Sequence, residues 1–330
     1  MDCKTLPKVE LHLHLDCSLS YAVVSRLNPA ITREEYLHDF IAPARCTNLV
    51  DFLTRAPKSI ALMQTEEGLR LVTFDVFEQL QRDNVLYAEI RFAPLLHIEK
   101  GLTAENVVEI IAEATAKASQ ATGIEARLIL CTLRHFSAEQ SLQTVKLVER
   151  FKGTRVAALD IAGDEAGCPL DAHIPAFQYA AQNGIARTAH AGEGSGAESV
   201  WETLNLLRPS RIGHGVRSIE DPALIAHLRK EHIHLEVCPT SNLQTNIYDS
   251  YADHPINRLY DAGLSLSVNT DARTITDITL AQEYEKLHQV FAWDSQHFLQ
   301  CNLNAIRSSF LPAATKRRLE NRLQEGYAGR

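Results

Sequence analysis

The sequence predicts an α/β protein folded as a closed (β/α)8 TIM barrel, with extra helices after the first strand and at the C-terminus. Three observations predict it: short apolar runs recur along the chain, amphipathic stretches of helical period separate them, and the runs number eight. Alternation of this kind makes a parallel sheet covered by helices, and eight strands close such a sheet into a barrel. An open doubly wound sheet is the second choice.

The first strand candidate is residues 9–16, VELHLHLD, where His12, His14 and Asp16 alternate with leucines and so share one face. The interval 17–84 then breaks the rhythm. It carries apolar clusters such as Leu49, Phe52 and Leu53 and reads as a helical insertion placed to form a lid at the catalytic end. Further strands are expected at 85–93, 126–133, 156–163, 185–191, 211–214, 233–239 and 264–271. Helix starts lie between them: Ser137 with Gln140 and Ser195 with Glu198 have capping-box spacing, and Asp221 precedes a proline suited to a first helical turn. Val107, Ile110, Ile111 and Ala114 form a core-facing stripe. No linker, repeat or low-complexity tract divides the chain, so residues 1–330 read as one domain.

Composition narrows the function. A chain of 330 residues with 45% hydrophobic content fills one large core. Its net charge of −8 argues against nucleic acid as the main partner, because phosphate binding needs clustered lysine and arginine, and points to a small molecule. No segment approaches the roughly 18 apolar residues that span a bilayer, and MDCKTLPKVELH contains no apolar leader, so a cytoplasmic protein without a membrane partner is expected. The seven cysteines include no C-x-x-C pair and imply neither a disulfide framework nor a thiolate metal site.

Two imidazoles two residues apart on a strand, His12 and His14, can share a metal ion, and polar groups on a doubly buried strand need such a partner. Three later strand ends supply matching groups: His190-Ala191-Gly192-Glu193, Gly213-His214-Gly215 and Asn269-Thr270-Asp271. A lone histidine such as His214 is better explained as a satisfied core residue. The coincidence of all of them at strand ends that converge in a barrel is what points to a site. Histidine and aspartate together suit Zn2+, which keeps a position for water and lowers that water's pKa toward neutrality. Strand four, Leu159-Asp160-Ile161-Ala162-Gly163, offers no lysine to bridge two metals, so one metal per chain is expected. The H-x-E triplets at His97–Glu99 and His234–Glu236 are not followed by the P-C-x-x-C of a His/Cys/Cys deaminase site and are set aside.

In order and spacing, Glu10–Asp16 (ELHLHLD), Thr188–Glu193 (TAHAGE), Ile212–Gly215 (IGHG), Cys238–Asn242 (CPTSN) and Asn269–Asp271 (NTD) resemble the adenosine deaminase family over nearly the whole chain. The resemblance implies Zn2+ on His12, His14, His190 and Asp271. It also implies Glu193 as proton donor to purine nitrogen N1, His214 as the group that orients the attacking water, and Asp271 as the acceptor of that water's proton. Substrate contacts are implied for His14, for Asp16 with a ribose hydroxyl, and for the Gly163 backbone with N3. The implied reaction is hydrolytic deamination of a purine nucleoside, adenosine with 2′-deoxyadenosine, to inosine or its deoxy counterpart and ammonia in purine salvage. Two positions depart from the family pattern. Ala272 stands where well-known members carry a second aspartate bonded to N7, and Cys17 stands where glycine is usual. Substrate preference is therefore open to another 6-aminopurine, such as a modified-ribose adenosine or N6-methyl-AMP. Further alternatives are a catalytically silent purine-binding protein and a metal-dependent esterase on the same fold.

Overall fold

A computed structural model describes residues 1–329. Eight strands form one parallel sheet in sequence order: β1 (Lys8–His14), β2 (Val85–Phe92), β3 (Glu125–Leu133), β4 (Val156–Ala162), β5 (Ala186–Ala191), β6 (Arg211–His214), β7 (His234–Val237) and β8 (Leu266–Val268). The sheet closes on itself. The Asp271 N–H donates to the His12 carbonyl at 3.0 Å and the His14 N–H to the Asp271 carbonyl at 2.8 Å, joining the end of β8 to β1. Helices cover the outside, and the stripe Val107, Ile110, Ile111 and Ala114 is buried in the helix Ala104–Thr122. Among the described residues no helix is long and apolar enough to cross a membrane.

Three local expectations are corrected. The expected first strand ends at His14, and Asp16 lies in the 3-10 turn Leu15–Cys17, so it does not continue the His12–His14 alternation. The last strand spans only Leu266–Val268, not 264–271, because the Asn269 side chain takes over the ladder. Its amide donates to the carbonyls of Val237 and Ser267, and its oxygen accepts from the Leu11 N–H. Ser195 does not cap a helix. The helix starts at Ala197, with Glu198 accepting from the Gly196 N–H, and the Ser195 N–H instead donates to Glu165. The other two starts stand, with a full capping box at Ser137 and Gln140 and Asp221 capping Pro222–Lys230.

The interval 17–84 contains the helices Tyr21–Leu27, Arg33–Asp39, Leu49–Leu53, Ala56–Leu62 and Glu66–Arg82. The last of these packs along Ala104–Thr122 as part of the outer helical layer. Residues 42–56 instead contribute to a second apolar cluster, Cys17, Ala42, Cys46, Leu49, Phe52, Ala272 and Ile275, separate from the main core.

Candidate active site

At the C-terminal ends of the strands, His12, His190, His214 and Asp271 each offer a ligand atom, and these atoms lie within 4.8 Å of one another. His14 adds a fifth: its Nε2 stands 3.2 Å from His190 Nε2 and 3.4 Å from Asp271 Oδ1. His12 Nε2 lies 3.3 Å from the same carboxylate oxygen and, although buried, has no hydrogen-bond partner. Ring nitrogens and a carboxylate oxygen that crowd together without donors between them fit a cation of the zinc class. Gly213 makes the crowding possible, since a Cβ there would stand 2.9 Å from His12 Cε1 and 3.2 Å from His190 Cγ.

The ligand atoms are aimed from behind. His12 Nδ1 is 2.9 Å from Glu236 Oε2, and His190 Nδ1 is 3.2 Å from Asp160 Oδ2. Each carboxylate accepts the Nδ1 proton and so leaves the Nε2 lone pair facing the cluster. Both carboxylates are held by one guanidinium, Arg91, at 2.7 Å to Asp160 and 2.5 Å to Glu236. Arg211 continues the lattice to Glu236 at 2.7 Å and Glu89 at 2.5 Å. All of these side chains are buried, so the charges are paired where water is excluded. Asp271 is fixed by Ser241, whose hydroxyl donates to Oδ2 at 2.7 Å.

Burial pushes His14 down to about 3, and it also lowers His190 and, strongly, His214, which keeps these rings neutral with free lone pairs. Burial and the Arg91 charge oppose a proton on His12, but the Asp271 carboxylate beside Nε2 and the hydrogen bond to Glu236 outweigh them and raise its pKa. Its Nε2 is thus a place where a proton and a metal cation compete. Burial disfavours the Asp271 anion too, yet His12, His14 and His214 hold its pKa well below the usual range. Glu193 goes the other way. Burial, then the charges of Asp271 and Glu165, raise its pKa well above that of an ordinary carboxyl. Its Oε2 lies 3.4 Å from His214 Nε2, and its Oε1 is buried without a partner.

The loop carrying Glu193 is pinned by Glu165, which accepts the N–H groups of Gly192, Glu193, Gly194 and Ser195 at 2.6–3.2 Å and the Ser199 hydroxyl at 2.5 Å. An enclosed cavity of about 50 Å³ lies in front, lined on one side by His14, Gly163, His190, Glu193, His214 and Asp271. Cys17, Leu49, Phe52, Leu53, Ala272 and Ile275 line the other side. A cavity of about 380 Å³ sits outside it and shares Leu49 and Glu193. Asp16 is not on this lining. It faces the Ala93 N–H at 3.2 Å and His97 Nε2 at 3.7 Å.

Sequence reasoning missed Asp160, Glu165, Glu236, Arg91 and Asn242. Asp160 and Glu236 sit on β4 and β7 at inward alternate positions, a signal available in the strand pattern. The His234–Glu236 triplet, set aside as a zinc signature, supplies a support for the metal cluster in Glu236. Glu165 and Asn242 lie outside strands, and no periodicity marks them.

Comparison with known proteins agrees with this geometry. The adenosine deaminase family model matches residues 7–326. An adenosine deaminase of Clostridium botulinum (strain Langeland) is 36% identical, the match covering 98% of this chain and 99% of the relative. Among solved structures, an adenine deaminase from Arthrobacter aurescens superposes with a TM-score of 0.89 at 29% identity, covering 97% of this chain and 98% of that one. A zinc-bound amidohydrolase from Burkholderia ambifaria gives 0.89 at 25% identity, covering 98% and 91%. The chain therefore belongs to the adenosine deaminase family and is a hydrolytic deaminase.

Proposed function

We propose that the chain deaminates adenosine, and 2′-deoxyadenosine with it, to inosine or 2′-deoxyinosine and ammonia as a step of purine salvage, with one Zn2+ held by His12, His14, His190 and Asp271. The observation that carries this reading is Glu193 Oε1, a buried and unpartnered oxygen of a carboxyl whose pKa burial raises, on the cavity wall it shares with His14, His190 and His214. A neutral carboxyl in that place donates a proton to a ring nitrogen, here purine N1, and leaves C6 open to addition. Zn2+ bound at the cluster lowers the pKa of a coordinated water and so supplies a nucleophile at neutral pH. Asp271, the anion of the pair, takes the water's proton, and His214 orients the incoming oxygen. His14 and the Gly163 backbone meet the substrate from the cavity lining, Asp16 is assigned the ribose hydroxyl by the family resemblance alone since it lies off that lining, and residues 42–56 within the 17–84 insertion act as the lid.

A second reading, another 6-aminopurine as the preferred substrate, is favoured by Ala272. This residue lines the cavity among apolar neighbours and has no side-chain hydrogen bond to offer. The test is the absorbance change that accompanies loss of the 6-amino group, measured on the zinc-loaded protein with adenosine, 2′-deoxyadenosine, adenine and N6-methyl-AMP. Fast turnover of the two nucleosides is expected. A preference for adenine or for N6-methyl-AMP by more than about tenfold, equal to some 1.4 kcal/mol, favours the second reading, and no turnover of any substrate overturns both.

A further inference from the structure

The C-P-x-S-N turn, Cys238–Asn242, has no part in the proposed reaction beyond the Ser241 contact to Asp271. Yet Asn242 is fully buried against His214: its Nδ2 lies 3.1 Å from His214 Nδ1, and its Oδ1 lies 3.2 Å from His254 Nε2. Which atoms carry hydrogens along this line follows from its far end. The Ile256 backbone N–H, a donor in every protonation state, points at His254 Nδ1 at 3.2 Å. His254 Nδ1 must accept, so the proton of that neutral ring sits on Nε2. Burial and the nearby Arg258 charge hold His254 down to about 3, which agrees with a neutral ring.

A protonated His254 Nε2 requires the Asn242 oxygen opposite it, because the flipped amide would set N–H against N–H. The Asn242 NH2 group is thereby turned to His214 Nδ1. His214 Nδ1 accepts in its turn, and its proton is left on Nε2, which faces Glu193 Oε2 and the cavity. We propose that Ile256, His254 and Asn242 form a one-way hydrogen-bond relay that fixes the tautomer of His214, with Asn242 and His254 as positioning residues. The relay removes His214 from the ligand set, since a protonated Nε2 has no lone pair for a cation, and makes it a hydrogen-bond donor to the oxygen that adds to the purine. It rests on the reading of His214 given under Proposed function.

The test is Asn242→Asp, nearly isosteric but able only to accept where the amide donated. In wild type, nitrogen NMR of histidine-labelled protein should show His214 protonated at Nε2 and bare at Nδ1, with the signal identified by its loss in His214→Asn. In Asn242→Asp the proton should move to Nδ1. The expected kinetic effect is a fall in kcat of about 100-fold, the usual consequence of removing one donor to a developing oxyanion, with KM within about threefold and one metal per chain retained. His254→Gln should give a smaller loss and mixed tautomers, because Asn242 is then free to flip. A His214 protonated at Nδ1 in wild type, or an Asn242→Asp variant with unchanged tautomer and kcat, overturns the relay. Wild-type protein that fails to deaminate adenosine while showing the Nε2 tautomer overturns the functional reading and leaves the relay standing.

Discussion

The two sides of the enclosed cavity are held by different physics. The floor, with His12, His190, Asp271 and Glu193, is braced by buried ion pairs through Arg91, Asp160, Glu236 and Arg211, and by five hydrogen bonds onto Glu165. The roof rests on the small apolar cluster around Leu49, Phe52 and Ile275, set apart from the main core. It is tethered by few bonds, such as the Ala42 N–H to the Ile275 carbonyl at 2.8 Å and the Cys46 N–H to the Gln244 carbonyl at 2.8 Å. Directional, desolvated pairs tolerate almost no displacement, whereas an apolar contact can slide or part at modest cost. The floor is therefore the rigid side, and the roof is the side where a displacement would cost least. The cavity of about 50 Å³ is by itself far smaller than the roughly 300–1,000 Å³ of pockets that take small molecules, and only together with its 380 Å³ neighbour does the space reach that range.

The largest effect expected is on the floor itself. Glu193→Gln should keep the fold and the metal while kcat falls about 10²–10⁴-fold, and metal analysis beside the deamination assay checks both halves. Metal loss in this variant would show that Glu193 belongs to the metal cluster instead of the acid role. Next in size, Arg91→Met removes the only guanidinium on Asp160 among the described residues and leaves Glu236 with Arg211 alone. It should cost about 3–5 kcal/mol in urea denaturation, and metal affinity should drop about 10–100-fold as the His12 and His190 rings lose their supports.

The pH response follows from Glu193. Its folded-state pKa is raised, so its contribution to stability is present below the ordinary carboxyl value and is lost as pH rises toward and through the raised one. Glu193→Gln cannot titrate. The metal-stripped variant should therefore lose less Tm than metal-stripped wild type as pH rises from the ordinary carboxyl value upward, and an equal loss in both would deny the shift. Activity should likewise fall at high pH as the acid form disappears. The smallest effect belongs to the roof. Leu49→Ala opens the enclosed cavity to its 380 Å³ neighbour, where water can fill the gap, so its cost should not exceed the roughly 2 kcal/mol lower end for leucine truncation, with KM shifting only a few-fold. A cost matching that of Arg91→Met would erase the distinction between floor and roof.

The barrel was legible because burial on both faces leaves near-continuous apolar strands, and strands β2 to β6 fall within one residue of their expected bounds. The site was legible where its groups lie at or just past strand ends: His14, His190, Glu193, His214 and Asp271 line one cavity, and His12 joins them in the cluster behind it. What supports them was not. Arg91 and Glu236 look in sequence like stray charges in apolar strands, and only closure of the barrel sets them together across 145 positions. The short last strand escaped notice for a related reason, since Asn269 replaces ladder bonds with side-chain bonds that no hydrophobic period records.

His214 and Asp271 share one more property: both have left-handed backbones, with φ of 59° and 65°. Such a conformation costs a residue with a Cβ about 1–2 kcal/mol, and glycine adopts it freely. Two of the eight non-glycine residues with positive φ among the described residues thus belong to the candidate site. Glycine at either position would relieve the backbone and at the same time remove the side chain that the proposed reaction uses.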